Sequence, residues 1–259
     1  MTMTTNAVTV ERDGPLARVR FNRKGSLNAF DQDTILALTD IALGFQRDLD
    51  IHAVVLTGAP DVFSAGIDLK DGRMWQQESM SDLEKREIFY RGVRLCQAWE
   101  DMPQVTIAAM EGFAIGAGCA LALACDFRIL ANNAFLLVPE VKIGLNLQWG
   151  ALPRLITLVG PAKAKRICLM CERLPADGAL DWGLVDEIAP QGQTVVRAEE
   201  WAQKTLAMPA ATVRMVKEGI NATANALHKA SSFADADQSQ LSGAFEEAVA
   251  ARDAFTSKG

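Results

Sequence analysis

Histidine is scarce in this chain: of 259 residues only His52 and His228 carry an imidazole. Neither has a neighbour that would complete a triad, and no G-x-S-x-G elbow occurs, so serine-hydrolase chemistry has no carrier. No G-K-[ST] triplet exists either, which removes a Walker phosphate loop. The cysteines number five, an odd count, which fits a reducing compartment, and hence a cytoplasmic protein, better than a disulfide scaffold. Cys168 and Cys171 form a C-x-x-C with no second pair, so buried thiols are expected rather than a zinc or redox site. Basic residues fall short of acidic ones by 26 to 32, for a net charge of −6; neither nucleic acid nor an anionic membrane is an expected partner. The longest apolar stretch, Phe113–Cys125, is too short and too broken by glycine to span a bilayer. The opening MTMTTNAVTV lacks the charged and apolar regions of a signal peptide.

What remains is the composition of an ordinary soluble globular protein, 49% hydrophobic and 22% charged. Val8–Glu11 and Leu16–Phe21 flank Asp13-Gly14-Pro15 as a hairpin, and Asp31 caps a helix running to about Asp48. Ala53–Gly58 reads as a short buried strand. Ser81–Glu100 sets Leu83, Phe89 or Tyr90, Val93 and Trp99 at helical spacing and should be amphipathic. Strands are expected at 105–110, 127–131, 135–138 and 184–188. Helices are expected at 150–170 (reset at Gly160-Pro161) and 176–182, and throughout the chain beyond about Pro190, with Pro209 opening one of them. The pattern is an α/β core over residues 1–190 followed by a helical region over 191–259.

The stretch from Val105 to Phe127, VTIAAMEGFAIGAGCALALACDF, organises this core. A strand-like run breaks at Glu111-Gly112, and beyond Gly116-Ala117-Gly118 small apolar residues resume as a buried helix. Glycines in such a turn let a ligand approach the backbone and leave first-turn N–H groups free to meet a developing anion. A tight turn beneath a packed helix fits the same residues. A dinucleotide fingerprint does not, because Leu121 stands where its third glycine belongs. A second turn of the same kind is Phe63-Ser64-Ala65-Gly66-Ile67-Asp68. Two turns that each follow a central strand could aim one N–H apiece at a single oxygen and stabilise an enolate or tetrahedral oxyanion.

FSAGIDL, AAMEGFAIGAGCALALACDFRI, PEVKIGL, GPAKAKRI and ALDWGLVDEI, in that order and spacing, resemble the enoyl-CoA hydratase/isomerase (crotonase) family from about Val8 to Ile188. The resemblance implies a crotonase-like spiral of ββα units with a helical C-terminal region for oligomerisation and active-site cover. It implies a homotrimer or dimer of trimers, and an acyl-coenzyme A thioester as substrate. Coenzyme A would then be carried by the substrate, with no separate cofactor and no metal. Carried over by position, the hole donors become the backbone N–H groups of Ile67 and Ala117, the latter in place of a glycine common in the family. The coenzyme A loops become Leu27-Asn28-Ala29 and Ala65–Lys70, including Asp68, Leu69 and Lys70, with a role as core or turn residues the lesser alternative for Leu27 and Ala29. Asp68 is expected to support the hole loop, and Asp126 to be structural.

Hydratases of this family use two glutamates. Glu140, in PEV, fills the second position, but Ala120 fills the first and can do no acid–base work. A third position, eight residues after Glu140, holds a carboxylate in some relatives and is Gln148 here. Gln148 and Trp149 should either shape the acyl pocket or pack against the following helix. Glu140 as the single acid/base points first to double-bond isomerisation, next to hydration or a hydratase/lyase reaction with substrate-held or Gln148-held water, and then to a non-catalytic acyl-CoA binder.

Overall fold

The computed structural model describes residues 3–4, 7–23, 25–75 and 79–256. In chain order, β1 (Met3–Thr4), β2 (Val8–Asp13) and β3 (Leu16–Phe21) lead into α1 (Gln32–Gln46), β4 (Ala53–Thr57), α2 (Gly72–Trp75) and α3 (Asp82–Glu100). Next come β5 (Val105–Met110), β6 (Phe113–Ile115), α4 (Ala117–Leu123), β7 (Phe127–Ala131), β8 (Phe135–Leu137) and a 3-10 turn over Glu140–Ile143. The remainder is α5 (Ala151–Met170), β9 (Leu174–Pro175), α6 (Ala176–Asp181), β10 (Glu187–Ala189), α7 (Thr194–Leu206), α8 (Ala210–Ala224), α9 (His228–Ser232), α10 (Asp235–Gly243) and α11 (Glu246–Thr256).

The main sheet has the order β1-β2-β3-β4-β5-β7-β10, antiparallel across the first three strands and parallel from β3 onward. Every residue of β4 and β5 is buried, as parallel strands covered on both faces require. The alternation divides them: Val54, Leu56, Ala108 and Met110 join the cluster under α1, α3, α4 and α5. Ala53, Val55, Ile107 and Ala109 join the opposite cluster, closed by Ala198 and Ala202 of α7. Local signals fix the helix ends. Asp31 accepts from Thr34 N at the start of α1, and Ser81 and Glu84 form a reciprocal capping box on α3, devices each worth about 1 kcal/mol.

A second, three-stranded sheet, β6-β8-β9, lies over the first. β6 runs parallel to β8, with Ile115 opposite Leu137, and Ser64 in the turn after β4 bridges to Ala114 in β6. Each of β4, β5 and β7 thus emits a short extended segment, and the three segments stack in parallel. This is the spiral of ββα units, and it carries the site.

Several expectations shift. β6 escapes the sequence reading because Gly112 and Gly116 bracket only three residues. The returning strand lies at Glu187–Ala189 rather than 184–188, with Leu184 and Val185 turned into the core. Leu83, in the first turn of α3, is 76% exposed, while Phe89 and Trp99 further along the helix are buried in two separate clusters. α5 does break at Gly160, whose φ is 76°, and Pro209 caps α8, which begins at Ala210.

Candidate active site

Two short backbone pairings build the site. Ser64 N donates to Phe113 O (3.1 Å) and Ile115 N donates to Ser64 O (2.9 Å), which ties the turn after β4 to β6. Three residues beyond this bridge on one segment is Ile67; three residues beyond it on the other is Ala117. The backbone N–H groups of both have no hydrogen-bond partner among the described residues. The close packing depends on glycine at Gly66, where φ is 93° and a Cβ would press to 2.8 Å from Ile115 O. Gly118 likewise sits against Ser64, where a Cβ would come within 2.9 Å of that residue's own.

Gly116 caps α4 at φ 50°, and its N–H is spent on Leu137 O (2.9 Å). A Cβ there would collide with Oε1 of Glu140, so the carboxyl group lies directly against the turn that presents Ala117. Glu140 opens the 3-10 turn after β8, whose pairing with β6 sets this approach. Its Oε2 is buried without a hydrogen-bond partner. Burial pushes the carboxyl group up from 4.5 to about 7, since a charge loses hydration there and gains no cation.

Glu140, Ile67 and Ala117 line one cavity of about 40 Å³ together with Ala120, Met74, Trp75, Asn146, Gln148 and Trp149. That volume exceeds the roughly 10–15 Å³ that one water requires. Ala120, 1% exposed, presents only a methyl group. Trp149 is buried and adopts φ 66°, a left-handed conformation uncommon for a bulky residue. Its indole faces the backbone of Gly92 in α3, where any Cβ would overlap the ring. The ring also tilts against Phe30, 6.1 Å between centroids. Trp149 therefore packs on α3 and walls the cavity at once.

Leu27, Ala29, Ala65, Asp68, Leu69 and Lys70 are not among the residues lining this cavity. Four of them form a neighbouring ledge: Ala65 N donates to Leu27 O (3.0 Å), Phe30 N to Gly66 O (2.7 Å) and Asp68 N to Phe30 O (2.9 Å), while Arg23 donates to both Ala29 O and Asp68 Oδ2. Leu27, at φ 49°, is 64% exposed on that ledge, Leu69 is half-buried, and Lys70 is exposed. The Asp68 carboxylate is spent on Arg23 and on Lys70 N.

Other candidates hold structure together. Glu111 accepts from Gly192 N, Thr194 N and Thr194 Oγ1 and so caps α7. Asp126 ties Thr106 of β5 to Lys217 of α8. Cys168 and Cys171 are buried free thiols, and no group of three or more metal-ligating side chains occurs among the described residues. Among those residues no helix is long and apolar enough to cross a membrane. Asn146 went unnoticed in the sequence; an amide two residues before Gln148, in a loop entering a helix, was the available signal.

The chain matches the model of the Enoyl-CoA hydratase/isomerase family over residues 11–258. It is 33% identical to the short-chain-enoyl-CoA hydratase of Clostridium acetobutylicum over 220 residues, 85% of this chain and 82% of that one. It is also 33% identical to the crotonyl-CoA hydratase of Syntrophomonas wolfei over 215 residues, 83% and 81% of the two chains. Among solved structures, an enoyl-CoA hydratase from Mycobacterium avium subsp. paratuberculosis superposes with a TM-score of 0.87 at 27% identity, covering 98% of this chain and 97% of that one.

Proposed function

The chain belongs to the enoyl-CoA hydratase/isomerase family, and from that premise we propose that it takes an acyl-coenzyme A thioester through an enolate, with Glu140 moving the proton. One observation carries the reading: a carboxyl group that burial pushes up to about 7, with Oε2 buried and unpartnered, shares a small cavity with two unbonded backbone N–H groups. Those N–H groups, of Ile67 and Ala117, suit a thioester carbonyl whose oxygen gains charge as the enolate forms. An acid/base whose pKa lies near the working pH is well matched to exchanging a proton with the α-carbon.

Two net reactions are open to a single carboxylate. Hydration of an enoyl thioester is the first reading, because the relatives above carry hydratase names. Double-bond migration is the second, favoured by Ala120, which leaves Glu140 as the one carboxylate lining the cavity among the described residues. Leu27, Ala29, Ala65, Asp68, Leu69 and Lys70 would carry the coenzyme A portion, which enters as part of the substrate rather than as a separate cofactor. Gln148 and Trp149 would close the acyl end. Met215, Val216 and Ile220 leave an apolar stripe of α8 exposed, a surface that the homotrimer or dimer of trimers implied by the family resemblance would cover.

A panel of acyl-coenzyme A thioesters tests the reading, with binding and turnover measured for the native protein and for Glu140→Gln. Binding by calorimetry should persist in the variant, because the hole donors are backbone groups, while kcat falls by about 10²–10⁴. An unchanged kcat, with the fold intact by circular dichroism, removes Glu140 from the mechanism.

A further inference from the structure

A methyl group at Ala120 cannot hold a water, yet Asn146 and Gln148 line the same cavity beside Glu140. Asn146 Oδ1 and Gln148 Oε1 are buried without a hydrogen-bond partner, as is Glu140 Oε2. All three residues line the one cavity of about 40 Å³. Three oxygens left without a donor on residues around so small a space are unfavourable unless something donates to them, since each forfeits its hydration.

The Asn146 amide is not free to turn. Its Nδ2 donates to Asp235 O at 3.2 Å, which directs Oδ1 the other way. The carboxylate of the same Asp235 accepts from Gly150 N at 2.7 Å, so the start of α10 clamps the loop at both 146 and 150. Arg154, paired with Glu100, holds Trp149 O between them. Gln148, in the middle of the clamped loop, has no described partner at either end of its amide, and so can offer an acceptor or an N–H.

We propose that Asn146, Gln148 and Glu140 form a subsite for one O–H group: the water that adds to the β-carbon, or in the reverse direction the 3-hydroxyl that leaves. The water donates one hydrogen to Asn146 Oδ1 and the other to Glu140 Oε2, and the Gln148 amide turns so that an N–H replaces its stranded Oε1 and donates to the water oxygen. As its oxygen bonds to the β-carbon, one O–H bond breaks and that proton passes to Glu140. The double-bond electron pair moves to the thioester as an enolate between the Ile67 and Ala117 N–H groups. Glu140 then returns the proton to the α-carbon and is left as the carboxylate, so that H and OH have both been added. Asn146 thus orients the nucleophile from the loop side, where Ala120 on α4 offers nothing. The inference rests on the enolate reading above.

Hydration requires this subsite; exchange of α-protons requires only the hole and Glu140. The test is the ratio of crotonyl-coenzyme A hydration, followed by loss of enoyl absorbance, to α-proton exchange of butyryl-coenzyme A in deuterated water, followed by NMR. In Asn146→Leu the ratio should fall about tenfold, the effect of one lost hydrogen bond to the reacting water. Gln148→Leu, which breaks no described contact, should lower it in the same direction if the Asn146 variant does not fold. An unchanged ratio in the folded variants, whether both rates hold or both fall together, overturns the subsite and leaves the enolate reading standing. A native protein that neither hydrates nor exchanges overturns both.

Discussion

Glu140→Gln should stabilise the protein while disabling it. The carboxyl group of Glu140 is held near 7 by burial, against an ordinary 4.5, so between those two values the folded chain keeps a proton that the unfolded chain has released. Stability therefore falls as pH rises through that interval, and the loss is complete above about 7. At about 1.4 kcal/mol per pH unit, the ionised carboxylate costs the folded state about 3 kcal/mol at pH 8. Glutamine has nearly the same shape and carries no charge to desolvate. Its advantage over glutamate should be near zero at pH 4.5 and grow to as much as about 3 kcal/mol by pH 8. Urea unfolding of both proteins at a fixed protein concentration, at pH 5, 6, 7 and 8, measures the difference directly. A variant that is no more stable than native at pH 8, or a difference that does not change with pH, would refute the picture of a strained buried carboxylate and with it the raised pKa.

Ala120→Glu should raise hydration severalfold at most, because the new side chain must share a cavity of about 40 Å³ with Glu140 and Trp149. Two adjacent carboxyl groups would also move one of the pair to higher pH, visible as an upward shift of the acid limb of the pH–rate profile; an unchanged profile would mean that position 120 does not face the reacting water. Trp149→Ala should lose about 3–5 kcal/mol of stability as a buried indole is removed. The space left is comparable to the ~150 Å³ engineered cavities that admit benzene, so kcat/KM for longer acyl chains should rise relative to the four-carbon thioester. A chain-length profile identical to native would show that Trp149 packs the core without bounding the acyl pocket.

Legibility in the sequence followed the distance over which each signal acts. The hole turns could be read locally, since the glycines at 66 and 116 mark their own backbone conformation. Glu140 was found because PEV is a contiguous motif. β6 was not found: three residues between two glycines carry no periodicity, and only the pairing with β8 makes them a strand. Glu111 looked like a turn residue because the helix it caps begins 83 positions later. Asn146 was passed over for a related reason. Its orientation depends on Asp235, 89 residues further on, and nothing in GLNLQWG indicates that an oxygen is left over. These three misses concern partners supplied by chain still to come.

The bridge between Ser64 and Ala114 has a consequence for how such a protein can change. Both proposed anion donors are main-chain groups, so no point mutation other than one to proline deletes them, as many could delete a side-chain donor. Their relative position is fixed by two ordinary sheet hydrogen bonds upstream, at residues whose own side chains take no part in the chemistry. The positions that would decide the reaction's outcome, 120, 140, 146 and 148, lie on other segments, and drift there leaves the anion grip untouched. Heritable variation thus falls on the choice of product before it reaches the capacity to stabilise charge. A lineage built on this bridge can lose one activity and acquire another without passing through a form that no longer holds the thioester.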